Sequence, residues 1–597
     1  MRLLRGRTTT LDLFWHWIEL IGEWIWSTPT FVALLGAGVL FTVWTRFTQY
    51  RVMTHGLAVV RGIYDDPDDP GAINHFQALS AALSATVGLG NIGGVAVAIS
   101  VGGPGALFWM WVVGFFGMAL KTIEITLAMI YRDTTDPDNP SGGAMHVVKQ
   151  VLAKKGSGWA VFGSIIGGFF CITLIISTIT GGNMFQAWNV AGLTEGYFGV
   201  PKVATGIILA MLVGLVIIGG IKRIGTVASK LVPLMCLLYL MAGFAVLVVN
   251  ADQIPGLLKL VFDSAFGTAE AEGAFIGGTL GYAFVVGMKR ALFSNEAGQG
   301  SAPIAHAAAK TAEPAREGVV GGLGPFIDTI CICTLTAMVI LSTGTWNRDS
   351  IGPLATEISL AAAGEGDEYI VTTAATVSHL PEQRLDQWSH GDKLFVLAEA
   401  QGMTHRSTGS NRFKITGVID EVPDPEHPDA AVTLVISWGD VELKSSDWDG
   451  IPGDIQILEV EGGGAGIYRE YEGAQLTAFA FDRVFEGLGK WLVTLAAWLF
   501  AISTMISWSY YGEKGVAFLV GVRGILPYKI AFLLLAIVGA AMIENTDQMM
   551  LLADLGTGSM LVVNIPIVLA LGYIAVASLR EYDRKLKAGE FSRNDGK

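Results

Sequence analysis

Long apolar runs separated by short charged stretches dominate this chain. A helical span across a hydrocarbon core about 30 Å thick takes roughly 20 mostly apolar residues. Runs of that kind fall at 29–47, 76–101, 104–130, 160–187, 203–220, 231–249, 274–300, 318–343, 486–508, 527–543 and 549–576, which predicts about 11 transmembrane helices. Lys289, Arg290 and Glu296 interrupt the seventh run. Ahead of the first, Leu11–Trp26 mixes Trp15, Trp17, Trp24 and Trp26 with acids, the composition of a helix lying in the membrane interface. Between the eighth and ninth runs the period changes. Lys393–Glu399, Arg412–Val418, Ala431–Trp438 and Asp454–Val460 are short β-type runs parted by loops such as Pro423–Pro428. The fold class that follows is an all-α polytopic membrane protein with a small β-rich domain inserted into it. Its expected divisions are an interfacial segment at 1–28, spans one to eight within 29–345, the insertion at 346–480, spans nine to eleven within 481–578, and a tail at 579–597.

Composition excludes a soluble globular chain. Of the 597 residues 52% are hydrophobic and 15% charged, against about 25% charged in soluble domains. The formal net charge of −14 is unevenly placed. Thr345–Ala480 holds 8 Lys+Arg and 23 Asp+Glu, leaving 31 basic against 30 acidic residues elsewhere. The acidity therefore belongs to the insertion, as a solvated surface, and the membrane part is balanced. Lys and Arg concentrate in cytoplasmic loops. Running the first span inward places 23 of the 31 basic residues of the membrane part on the cytoplasmic side. The N-terminus and insertion are then outside and the C-terminus inside a cell membrane. Cys171, Cys236, Cys331 and Cys333 all lie in apolar runs and imply no disulfide framework. No metal-ligand cluster or nucleophile–base pair stands out among the nine histidines and four cysteines, so neither an enzyme nor a nucleic-acid binder is implied.

The most informative stretch is Gly88–Gly94, GLGNIGG, in the middle of the second run. Gly88, Gly90 and Gly93 match the dinucleotide fingerprint as a string, but no strand precedes them and no acid follows about 20 residues on. Four glycines in seven residues, each weakening a helix by roughly 1 kcal/mol relative to alanine, predict instead a helix that unwinds in the membrane. Unwound backbone is tolerated there only against protein or a water-filled cavity, and paired discontinuous helices build transport sites from it. The seventh run, with glycines at 277, 278, 281, 287, 298 and 300 and the stretch Phe293–Gly298, is the expected second interruption. Spans two to six and seven to eleven would then form an inverted 5+5 repeat. Intramembrane polar residues complete the candidates: Asn183 and Gln186, the pair Lys121 and Glu124, Asp328, and Ser503, Thr504, Ser507 and Trp508. Each must face the bundle interior. Lys121 and Glu124, three apart on a helix, are expected to pair with each other.

The stretches Thr86–Val95, Gly102–Trp111, Gly181–Gln186, Phe293–Pro303, Phe326–Thr329 and Trp508–Glu513 resemble the alanine or glycine:cation symporters, also called the sodium:alanine symporter family. The GLGN segment also resembles the unwound first helix of the leucine-transporter fold of the amino acid-polyamine-organocation superfamily. The resemblance implies sodium-coupled uptake of a small neutral amino acid, alanine or glycine, by alternating access. It implies that Asn91 and the backbone at Gly88 and Gly90 hold the substrate carboxylate. Gln186 or Asn183 would meet the amino group, Thr504 and Trp508 would close on the side chain, and Phe284 would lie beside a second break at Gly281–Gly287. For the co-transported sodium ion it implies carbonyls at Ser84 and Val87 with the hydroxyls of Ser503 and Thr504. The large insertion departs from the family pattern, so its partner is not inherited. Deleting Arg348–Arg469 is expected to leave uptake of labelled alanine or glycine by proteoliposomes in place; loss of uptake in a folded variant would give the insertion a part in transport.

Overall fold

The computed structural model describes residues 10–591, apart from 67, 137–139, 267–279, 544–545 and, in the β-rich region, 355–358, 364–367, 375–387, 389–390, 406–409, 424–431, 445–447, 451–453, 461–463 and 472. Among the described residues seven helices are long and apolar enough to cross a membrane: Gly105–Ile130, Ser157–Phe198, Gly220–Val249, Pro314–Ser342, Leu488–Val520, Val522–Met542 and Gln548–Ala588. Two bent pairs pass the same test together, Leu13–Ile25 with Thr28–Trp44 at 43° and His75–Thr86 with Gly90–Gly102 at 52°, and Lys202–Ile217 is a shorter apolar helix. The chain is thus a polytopic helical membrane protein. The predicted run at 274–300 begins outside the described residues and is helical from Leu280 to Asn295.

Burial sorts the helices into core and rim. Pro314–Ser342 and Leu488–Val520 have 72% of their most apolar window buried, whereas Gly220–Val249 and Val522–Met542 have 28%. Gly220–Val249 turns Leu237, Met241 and Phe244 outward, and Lys202–Ile217 turns out Met211 and Leu215, a hydrocarbon-facing surface that needs no protein partner. Between lipid-facing helices there is little hydrophobic drive to associate, so close packing of small residues takes over. Gly105 shows this: a Cβ there would stand 2.7 Å from the backbone of Ser264 and Ala265, and its own N–H reaches Ser264 Oγ at 3.1 Å.

The helix His75–Thr86 opens on a capping box, with Asn74 Oδ1 accepting from Gln77 N at 2.8 Å and Gln77 Oε1 from Asn74 N at 3.1 Å. Such reciprocal bonds satisfy two N–H groups that the first turn leaves open. The helix ends at Val87 (φ −80°, ψ 88°) and resumes through a π-turn at Gly90–Gly94. The second interruption lies elsewhere than expected. Gly281–Gly287 falls within a continuous helix, and the chain unwinds at Glu296–Ser301, where Glu296 (φ 55°), Gly298 (φ 87°) and Gly300 (φ 79°) are left-handed. A glycine inside a helix costs only about 1 kcal/mol, which packing repays; three left-handed residues in five cannot continue a right-handed helix at all.

Among the described residues all the strands fall between Gly352 and Arg469. The main sheet orders Gly352–Pro353, Gly466–Arg469, Lys393–Ala400, Arg412–Pro423 and Val432–Trp438, all antiparallel, with Ile455–Ile457 also pairing to Lys393–Ala400. Lys393–Ala400 is buried on both faces. Leu394, Val396 and Ala398 enter one apolar cluster with Ile415, Ile436 and Ile467, while Phe395 and Leu397 meet Leu458 and Tyr468 on the other side. Past Arg469 the chain forms the helix Ala474–Asp482, whose Thr477 Oγ1 donates to Ile92 O at 3.1 Å beside the first break.

Gly105→Ala must push one backbone off another. Overpacking of this kind costs about 1–3 kcal/mol, so the variant should melt several degrees below the parent in detergent; an unchanged melting temperature would refute the packing argument.

Candidate functional site

The break at Val87–Leu89 leaves backbone groups that the surrounding helices take up. Val87 N still bonds Leu83 O at 2.7 Å, the last bond of its helix. Gly88 N donates to Asn91 Oδ1 at 2.9 Å and Leu89 N to Gln186 Oε1 at 3.1 Å. Trp508 Nε1 donates to Ala85 O at 3.3 Å, while Ser84 Oγ donates to Ser503 O at 2.6 Å and Ser503 Oγ reaches back to Ser84 O at 3.5 Å. The residues involved are buried, and a buried polar group left unpaired would cost about 1–3 kcal/mol.

A small cavity opens at the break, lined by Ala85, Thr86, Gly88, Gly90, Ser177, Gly181, Gln186, Phe293, Trp508 and Thr557. Gly88, Gly90, Gln186 and Trp508 of the expected substrate set meet there. Thr504 borders it: its buried hydroxyl oxygen has no hydrogen-bond partner and lies 2.6 Å from where a Cβ of Gly88 would stand. Asn91 works from behind the break, with Nδ2 donating to Ser294 Oγ at 2.8 Å as Oδ1 holds Gly88 N. Asn183 turns away and donates to Phe532 O at 2.6 Å. Phe284 stands against Phe31 and Trp109, with ring centroids 6.0 and 4.9 Å away. The aromatic wall is instead Phe293, whose ring would lie 2.8 Å from a Cβ at Gly90 and 3.2 Å from one at Gly181.

Of the four residues expected around sodium, Ser84 meets Ser503 across His75–Thr86 and Leu488–Val520, and Thr504 stands against Gly88, the residue after Val87. Ser84, Ser503 and Thr504 bring hydroxyl or carbonyl oxygens to the end of a helix whose final carbonyls carry its negative pole. Hard oxygens of this kind suit an alkali cation. Ser503 Oγ is partly committed, donating to Phe500 O at 2.9 Å, which leaves Thr504 as the side-chain oxygen with spare capacity.

Two polar networks brace the site. Asp328 Oδ1 accepts from Ser294 Oγ and Thr329 Oγ1, each at 2.6 Å, and so ties Asn91 to the π-turn Phe326–Cys333. At the start of the broken helix, His75 Nδ1 and His306 Nδ1 bond the two oxygens of buried Glu317, the second at 2.5 Å. Neither histidine stood out in the sequence, because 242 and 11 residues separate them from the glutamate that only the fold brings to both. A charged residue at 317, at the edge of the apolar run beginning at 318, was the available signal. Lys121 and Glu124 do not pair as expected: Lys121 Nζ donates to Asn295 O at 2.7 Å and Glu124 Oε1 accepts from Asn564 Nδ2 at 2.6 Å.

A helix broken at glycines around a small buried site defines the class of membrane carriers, and the comparisons give the family. The profile of the Sodium:alanine symporter family matches residues 11–378 and 457–595, and the chain belongs to that family. The sodium/alanine symporter AgcS of Methanococcus maripaludis is 31% identical over 580 residues, covering 97% of this chain and 98% of its own. The probable sodium/glutamine symporter GlnT of Bacillus subtilis is 36% identical over 349 residues, 58% of this chain and 70% of its own. A putative sodium/proton-dependent alanine carrier protein, YrbD, of the same organism is 36% identical over 326 residues, 55% and 64% respectively. An amino-acid transporter follows.

Gly88→Ala puts a methyl 2.6 Å from Thr504 Oγ1 and 3.2 Å from Gln186 Oε1. Substrate affinity should fall at least about tenfold, which corresponds to 1.4 kcal/mol, in equilibrium binding of labelled amino acid; parental affinity would remove Gly88 from the site.

Proposed function

We propose that this protein is a secondary transporter carrying a small neutral amino acid, alanine or glycine, into the cell together with sodium by alternating access. The observation that carries the reading is the convergence of Gly88, Gly90 and Gln186 on one small cavity, with the unpaired Thr504 hydroxyl against Gly88 at its border. The two half-helices divide the labour. The break presents the N-terminal, positive pole of Gly90–Gly102 to a carboxylate and the C-terminal, negative pole of His75–Thr86 to a cation. On binding, the substrate carboxylate takes over the Leu89 N–H now held by Gln186 Oε1. That oxygen is thereby released to accept from the substrate ammonium, so the exchange conserves hydrogen bonds. Trp508 and Phe293 crowd Gly182 and Gly90 from either side, which restricts the side chain to a small one. Sodium is assigned to Ser84, Val87, Ser503 and Thr504, adjoining the carboxylate, so each charge lowers the cost of burying the other.

In this reading the membrane part holds 11 helices with an inverted 5+5 repeat. The N-terminus and the β-rich insertion lie outside and the C-terminus in the cytoplasm. The hinge is the unwound Val87–Leu89, whose backbone bonds can exchange partners as the half-helix His75–Thr86 swings.

Purified protein in liposomes should accumulate labelled alanine or glycine only under an inward sodium gradient, and uptake indifferent to sodium would overturn the coupling. Thr504→Val keeps the shape and removes the spare oxygen. Its sodium concentration for half-maximal uptake should rise about tenfold, a 1.4 kcal/mol effect, with melting temperature unchanged; parental sodium dependence would move the ion elsewhere.

A further inference from the structure

In the middle of the bundle one ammonium faces three carboxylates. Glu124, Glu296 and Asp328 are buried, and each leaves one oxygen without a hydrogen-bond partner: Glu124 Oε2, Glu296 Oε1 and Asp328 Oδ2. The nearby cation, Lys121, spends its ammonium on the Asn295 carbonyl at 2.7 Å rather than on any of them. Three ionised acids against one lysine would bury uncompensated negative charge, which a low-dielectric interior does not hold; such a group changes its protonation state instead.

Glu124 is the acid with access. It lines a second small cavity together with Asn564 and Gly300, and the rest of that cavity is apolar, including Leu127, Val147, Ile567 and Val568. The space is enough for about one water molecule. An alkali cation would need several oxygens in place of its hydration shell, and these walls do not offer them; a proton needs one. Asn564 Nδ2 holds the other oxygen of Glu124 at 2.6 Å and also donates to Gly298 O at 2.8 Å, in the second break.

We propose that Glu124 is a proton-binding site: Oε2 takes a proton from a hydronium delivered through the cavity, giving the neutral acid and a water molecule. The shared Asn564 amide connects that event to the unwound segment Glu296–Ser301. The charged and titratable groups around it are accounted for. Lys121 lies on the same helix and Glu296 on the unwound segment, where its Oε2 accepts from Ser301 at 2.5 Å. Asp328, on the π-turn, is held by Ser294 and Thr329. His306 and Glu317 bond each other. On Ala144–Ala153, His146 bonds Ser141 Oγ at 3.1 Å and Lys149 lies over the Phe518 ring at 5.4 Å. None of these donates to Glu124 Oε2, so its charge is neutralised by the proton it takes up. The proposal concerns charge balance and stands whether or not sodium is the coupling ion.

The test is infrared difference spectroscopy on the full-length protein in lipid nanodiscs, between high and low pH in H2O and D2O, which needs no transport. Wild type should show, beyond the bands of its solvated acids, the higher-frequency C=O stretch of a carboxylic acid protonated away from water, shifted in D2O. Glu124→Gln should lose that band and Glu296→Gln should keep it. Should Glu124→Gln fail to fold, Glu124→Asp retains an acid and should move the band without abolishing it. A band that survives Glu124→Gln, that Glu124→Asp leaves in place, or that sodium chloride removes at constant pH would overturn the assignment.

Discussion

Backbone amides in hydrocarbon must be paired, and a helix interrupted at mid-membrane breaks that rule unless other elements repair it. The arrangement around Val87–Leu89 is that repair. Asn91, Gln186, Trp508 and Ser503 come from three helices, and each supplies or receives a bond that the missing helical turn would have made. The helix Ala474–Asp482 adds a fourth element through Thr477 and Ile92. Because these partners are side chains, they can be exchanged for a ligand of matching polarity, which is what makes a structural necessity usable as a binding site.

Buried charge imposes the second constraint. Glu317 lies between two histidines, and Arg290 pairs with Asp554. In the insertion the logic is that of water. Pairs such as Arg412 with Glu399 at 2.8 Å and Lys414 with Glu470 at 3.1 Å are partly exposed, and exposed pairs contribute about 0–1 kcal/mol. Its strands hold together through their own apolar cluster. The family profile is interrupted from 379 to 456, within these strands, so the family match is carried by the membrane part and the edges of the β-rich region.

Relatives carry names for alanine and for probable glutamine symport. In the proposed reading the size of the side chain is set by the walls of the cavity, since the backbone of the break offers only N–H and C=O groups. Here those walls are Phe293 and Trp508, each packed onto a glycine.

Hydropathy by itself determined the helices, because twenty apolar residues have few stable places other than a bilayer: the described spans follow the predicted runs at Gly105–Ile130 and Ile525–Met542 to within two residues. The first break was legible because four glycines in seven residues are a local cause. Gly88, Gly90, Gln186 and Trp508 then came together as their motifs implied. The short strands Val441–Lys444 and Gly466–Arg469 carry too few residues for a period to show. Tertiary structure alone decided the rest. It moved the second break to Glu296–Ser301, because left-handed geometry and the Asn564 bond, not glycine content, end that helix. It put Phe293 rather than Phe284 at the cavity and sent Asn183 to Phe532, since which face of a helix looks inward depends on its neighbours. It gave Lys121 and Glu124 separate partners because a backbone carbonyl and an amide, hundreds of residues away in the case of Asn564, offered better-placed bonds than one side chain could offer the other.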